Sequence, residues 1–169
     1  MLVVCFIIVI SFRDVELYTT EIKNVNDSMI VDLNTMALKI IENEYDRLYT
    51  PLDTYSGDLT GYVYNCPACT GRLACNSSLD LSKGRTTYND KEYGEVNIVA
   101  SSKNLSCGTI VAFESDRVSD KKTYAIVLDR GVRGNSLDLL VESNDIAYGT
   151  IGRSNITYDV IRKGYSNED

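Results

Sequence analysis

The chain has 169 residues, 44% of them hydrophobic, and a formal net charge of -7, which allows one folded core rather than two. Without a long Lys/Arg run, that charge argues against a nucleic-acid binder, whose affinity comes from clustered cations. There is no histidine, so the usual general base and commonest metal ligand are missing. Acid–base chemistry falls to Asp, Glu, Tyr, Lys or Cys.

The apolar run from Leu2 to Phe12 ends abruptly at Arg13 and Asp14. It is short of the ~20 residues that span a bilayer as a helix. No basic segment precedes it and no small-x-small site follows it. Residues 1–13 are therefore expected to be an uncleaved anchor rather than a cleaved signal, with a buried Val/Ile-rich strand as the alternative. Either membrane reading sends residues 14–169 outside the cytoplasm.

Across residues 24–48, Met29, Leu33, Met36, Ile40 and Leu48 recur at helical spacing among polar residues, which predicts one amphipathic helix. It reads as a stalk or homodimerisation segment next to the membrane, or as a helix packed on its own domain. Pro51 and "TPLDTYSGD" then break the pattern, so residues 14–58 are expected to be stalk and linker. Beyond them the period changes from helical to extended. Residues 59–65, 96–101, 109–114, 123–129, 136–141 and 156–161 read as six short strands separated by Gly, Asn, Asp and Ser turns, the pattern of a small barrel. The stretch "TGRLACNSSLDLSKGRTTYNDKEYGE" is too long for a hairpin turn and reads as a lid or groove wall.

Cys66, Cys69, Cys75 and Cys107 form an even set in the body of the chain. Outside the reducing cytosol such a set reads as two disulfides, with three possible connectivities. A four-thiolate zinc site, suggested by "CPAC", and free thiols are the alternatives.

The segments "GYVYNCPACTG", "NIVASSKNLSCGTIVAF", "YAIVLDRGVRGNSLDLL" and "YGTIGRSNITYDVIRKG" together resemble the double-psi β-barrel of cell-wall-acting proteins. The families they are similar to are the three-aspartate domain, shared with the membrane-bound lytic transglycosylase A group, and the rare lipoprotein A family. The resemblance covers about residues 59–164 and implies a six-stranded double-psi barrel that acts on peptidoglycan glycan strands, with residues 165–169 as a tail. It implies lytic cleavage, in which one carboxylic acid protonates the glycosidic oxygen. As carboxylate, the same group then helps the sugar's 6-hydroxyl close a 1,6-anhydro ring.

By the same resemblance Asp138 falls on the acid, and Asp129 on a carboxylate that raises the pKa of Asp138 or orients substrate. Ser101 stands where the three-aspartate pattern has its first aspartate, and Ser102 near a histidine of the lipoprotein pattern. Ser101, Arg130, Arg133 and Asn135 are candidate substrate contacts, the arginines for lactyl or peptide carboxylates. Tyr62, Tyr64 and Tyr88 offer rings for sugar stacking, while Glu114 and Asp116 sit in a stretch with the polarity of a hairpin tip. An aspartate before Arg-Gly is also a common turn former. Asp138, between Leu137 and Leu139, needs a partner or an open face, and strand alternation turns it away from them. The same site without turnover would be a wall-glycan binding module, and a structural domain of an envelope assembly is a third reading. No cofactor or metal is expected.

Overall fold

The computed structural model describes the backbone of residues 4–11, 14–21, 27–65 and 71–165, with side chains from residue 33 onward. The chain divides into two compact units, Met1–Arg47 and Leu48–Asp169.

In the first unit, β1 (Val4–Ser11) pairs antiparallel with β2 (Asp14–Glu21), from Val4 opposite Glu21 to Ser11 opposite Asp14. Within the apolar run, Val4–Ser11 is thus a strand. Its β-branched Val and Ile residues favour that conformation. No helix among the described residues is long and apolar enough to cross a membrane. Helix α1 (Asp27–Tyr49) follows close to its expected bounds. Leu33, Met36 and Ile40 of its stripe are 55%, 55% and 66% exposed.

The second unit contains β3 (Asp53–Tyr62), β4 (Thr87–Asp90), β5 (Gly94–Ser101), β6 (Ile110–Ser115), β7 (Ser119–Arg130), β8 (Leu137–Leu140) and β9 (Arg153–Arg162). Six of these close on themselves in the order β5-β7-β6-β9-β3-β8 and back to β5, while β4 flanks β5 outside the ring. The β5–β7 and β3–β8 pairs are parallel and the other four are antiparallel. Exchanging β3, β5 and β6 for β7, β8 and β9 leaves every pairing and its direction unchanged. That internal two-fold order, with one parallel pair in each half, makes this mixed ring a double-psi β-barrel.

Alternation along the strands sorts the apolar residues onto two faces. All six strands send residues into one cluster, among them Leu59, Val99, Phe113, Val127, Leu137, Leu139 and Tyr158; this is the barrel interior. Their neighbours Ile98, Ile110, Ile126, Leu128, Leu140 and Ile161 point outward and are covered by Leu73 and Leu81. The long stretch before β5 is therefore a packed cover on one outer face. Burial on both faces explains why these strands read as near-continuous apolar runs.

Two sequence expectations change. The expected linker over residues 50–58 is mostly strand, because β3 starts at Asp53. Its polar residues pair across to β9 through Thr54 to Asp159 (2.8 Å) and Ser56 to Thr157 (3.0 Å). Second, β4 lies inside the long stretch. Cys75 and Cys107 are joined in a disulfide with α-carbons 5.6 Å apart, as the leading reading of the cysteine set expects, so they are not ligands of a four-thiolate zinc site. Cys66 and Cys69 lie outside the described residues.

Arg162 fastens β9 to the β4–β5 turn. Its two terminal nitrogens donate to the two oxygens of Asp90 at 2.9 and 2.6 Å, to Glu92 at 2.8 Å and to the Gly108 carbonyl at 3.0 Å. The Asp90 side chain is 0% exposed. Burial opposes its charge, but Arg162 and the amides of Glu92 and Tyr93 outweigh that and hold the carboxyl below the usual range. Asp90→Ala leaves the Arg162 cation without its main partner and is expected to cost about 3 to 5 kcal/mol in urea denaturation. A loss below about 1 kcal/mol, the worth of an exposed pair, would show the bridge to be dispensable.

Candidate functional site

One row of residues crosses five strands. Arg153 on β9 is opposite Thr60 on β3, Thr60 is opposite Asp138 on β8, Asp138 is opposite Ala100 on β5, and Ala100 is opposite Asp129 on β7. Leu137 and Leu139 belong to the barrel interior, so Asp138 projects from the outer face, as alternation predicts. Asp129 reaches the row through a β-bulge. Val99 pairs with Val127 but Ala100 with Asp129, which leaves Leu128 as the extra residue. Strict alternation would turn Asp129 inward beside Val127; the bulge turns it outward.

Thr60 Oγ1 donates to Asp138 Oδ1 at 2.8 Å. Among the described residues Asp138 has no other hydrogen-bond partner, which leaves Oδ2 free on a half-buried side chain. Burial pushes its carboxyl above the usual carboxylate range. The Thr60 hydroxyl and the Arg153 charge pull the other way without cancelling the shift, and the Asp129 charge adds to it.

Asp129 is engaged through both oxygens. Its Oδ2 accepts from the Tyr62 hydroxyl at 2.9 Å, and its Oδ1 accepts from the amides of Ala74 at 3.0 Å and Arg130 at 2.8 Å. Burial, followed by the Asp129 charge, raises the phenol of Tyr62 far above its ordinary value. Tyr62 therefore serves as a hydrogen-bond donor packed against the outer apolar cluster, not as an open stacking ring. Tyr64 and Tyr88 lie against the same cluster, each partly exposed.

Two expected substrate contacts face elsewhere. Arg130 donates through Nη1 to Ser101 Oγ (2.9 Å), the Ser102 carbonyl (2.6 Å) and the Leu105 carbonyl (2.7 Å), and through Nη2 to Cys107 Sγ (3.2 Å). Those bonds commit it to the 101–107 segment instead of a ligand carboxylate. Ser101 is 1% exposed, and its hydroxyl also donates to the Ser102 carbonyl. By alternation from Val99 it lies on the inner side, away from the row. Arg133 and Asn135 are exposed on the loop before β8. That loop is held by Ser102 Oγ, which donates to the Gly134 carbonyl at 2.7 Å, and it packs so close to Gly57 that a Cβ there would collide with the Asn135 carbonyl. Glu114 and the turn after it form the expected hairpin tip, with Val118 N donating to the Ser115 carbonyl.

Thr60 and Arg153 are the polar members of the row that sequence reasoning missed. The signal that could have found them is the register of β3 against β8 and β9, and no local motif carries it.

No protein-family model and no curated protein matches the chain. Among solved structures, a mutant of Clavibacter michiganensis expansin in complex with cellohexaose is similar at 20% identity and a TM-score of 0.39. The match covers 65% of this chain, which spans about half (51%) of that one.

The raised carboxyl of Asp138 has a consequence for stability. The native state holds this proton more tightly than the unfolded chain does, so the contribution is full below the unfolded value of about 3.9 and is lost as pH rises through the folded value. Asp138→Asn keeps an acceptor for Thr60 and removes the buried charge. It is expected to raise Tm at pH 7 to 8, with the difference from the parent vanishing near pH 3. A difference independent of pH across that range would contradict this account of Asp138.

Proposed function

We propose that Arg153, Thr60 and Asp138 of the row on the outer face of the barrel bind peptidoglycan glycan strands, outside the cytoplasmic membrane. The observation that carries this reading is Asp138: a half-buried carboxyl with one free oxygen, held by Thr60 on a strand face. Sugar hydroxyls donate to such an oxygen. Arg153, at the end of the row, and Arg133, on the adjoining loop, supply exposed cations for the lactyl and peptide carboxylates of the wall, although Arg153 also pairs with Asp58 at 2.6 Å. The Cys75–Cys107 disulfide supports a location away from the reducing cytosol.

Cleavage of the lytic type is a second reading, favoured by the upward shift of Asp138. An acid that keeps its proton to higher pH is suited to protonating a glycosidic oxygen. Its carboxylate then takes the proton of the 6-hydroxyl as the anhydro ring closes, so a single group serves both steps.

Incubating the purified chain with peptidoglycan tests both readings. Retention of the chain by the wall, measured by co-sedimentation, is expected. Anhydromuropeptides seen by mass spectrometry, and absent with Asp138→Asn, would add cleavage. Retention without such products leaves a binding module, and no retention by bare or peptide-bearing glycan rejects both readings.

A further inference from the structure

The contacts of Asp129 describe a task different from that of Asp138. Its three donors come from both sides of a seam: the Tyr62 hydroxyl from the end of β3, the Ala74 amide from the covering segment, and the Arg130 amide from its own strand. One residue earlier the seam continues, where Cys75 N donates to the Leu128 carbonyl at 2.9 Å. One residue later Arg130 grips the segment that carries Cys107, the disulfide partner of Cys75. Leu128 and Asp129 thus hold the cover at one end of its disulfide link, and Arg130 holds the segment at the other end. An ionised carboxylate offers about four acceptor positions, and three of those on Asp129 are taken by the protein. Asp138 accepts one bond and is otherwise open.

We infer that Asp129 is a positioning residue: it holds the covering segment at Ala74 against Tyr62 and so fixes the border of the polar row beside Asp138. The bulge at Leu128 is the device that brings it there. A residue pointing into the barrel could reach neither Ala74 nor Tyr62. This deepens the glycan reading and rests on it for the ligand measurement alone.

Two variants separate positioning from the use of charge. Asp129→Asn keeps an oxygen for the two amides and presents an N–H that the Tyr62 oxygen can accept, so the seam survives without the charge. Asp129→Ala removes all three bonds. Amide hydrogen exchange at Ala74 in the full chain reads the seam, and retention on peptidoglycan reads the row. Asp129→Ala is expected to speed Ala74 exchange about tenfold or more and to weaken retention by a similar factor, while Asp129→Asn stays within about twofold of the parent in both. The inference is overturned if Asp129→Asn loses retention as fully as Asp129→Ala, since the charge would then be what the ligand uses. Unchanged Ala74 exchange in Asp129→Ala overturns it too. Should Asp129→Ala fail to fold, Asp129→Asn decides alone: protection and retention both kept support the inference, and loss of either rejects it. The exchange measurement needs no glycan, so a parent chain that ignores the wall defeats the proposed function while the role of Asp129 is still judged.

Discussion

The barrel closes through a strand of four residues. β8 lies parallel to β3 on one side and antiparallel to β5 on the other; without it the ring would be an open sheet with two exposed edges. So short a strand has little freedom of register. Leu137 and Leu139 both belong in the interior, and a slip of one residue would exchange them for Asp138 and Leu140. Closure therefore forces Asp138 onto the outer face. The desolvation that burying it inside would cost and the apolar contacts the leucines would lose act in the same direction.

The neighbouring carboxylate is placed by an exception to alternation. β7 alternates faithfully from Ala125 to Leu128 between the interior and the outer cluster, and the bulge then spends one residue without a partner on β5. A bulge costs ladder regularity and is kept where it re-aims a side chain. Here it lets consecutive residues reach opposite ends of one disulfide, with Asp129 beside Cys75 and Arg130 on Cys107. Cover, disulfide and row are thereby mechanically one piece.

The strands were largely readable because the rules that govern them are local. Apolar runs bounded by Gly, Asn and Asp turns located all six barrel strands, with boundaries differing most at β3, where Thr54 and Ser56 make a polar strand that looks like a linker. Helix α1 was readable from its 3.6-residue period. The run at Val4–Ser11 was ambiguous because an apolar stretch of that length suits a strand as well as a membrane segment. The site was readable in part. Asp138 could be assigned to a face from Leu137 and Leu139 alone, whereas Thr60 and Arg153 required a register between strands far apart in the chain. Arg130 looked like a free loop cation because its acceptors, two carbonyls and the side chains of Ser101 and Cys107, lie more than twenty residues upstream, and no sequence motif announces them.

Ser101 shows how far such geometry alters a reading by resemblance. A serine in place of the first motif aspartate looks like the loss of a catalytic carboxylate. In the fold, position 101 is buried and points to the inner side, where its partner is the Arg130 guanidinium. The aspartate of the pattern, placed there, would neutralise that arginine; it would not join Asp138 and Thr60 on the outer face. Its absence is covered by the Ser102 and Leu105 carbonyls, which accept from the same guanidinium. What serine changes is thus the charge balance beneath the disulfide, on the side of the sheet away from Asp138.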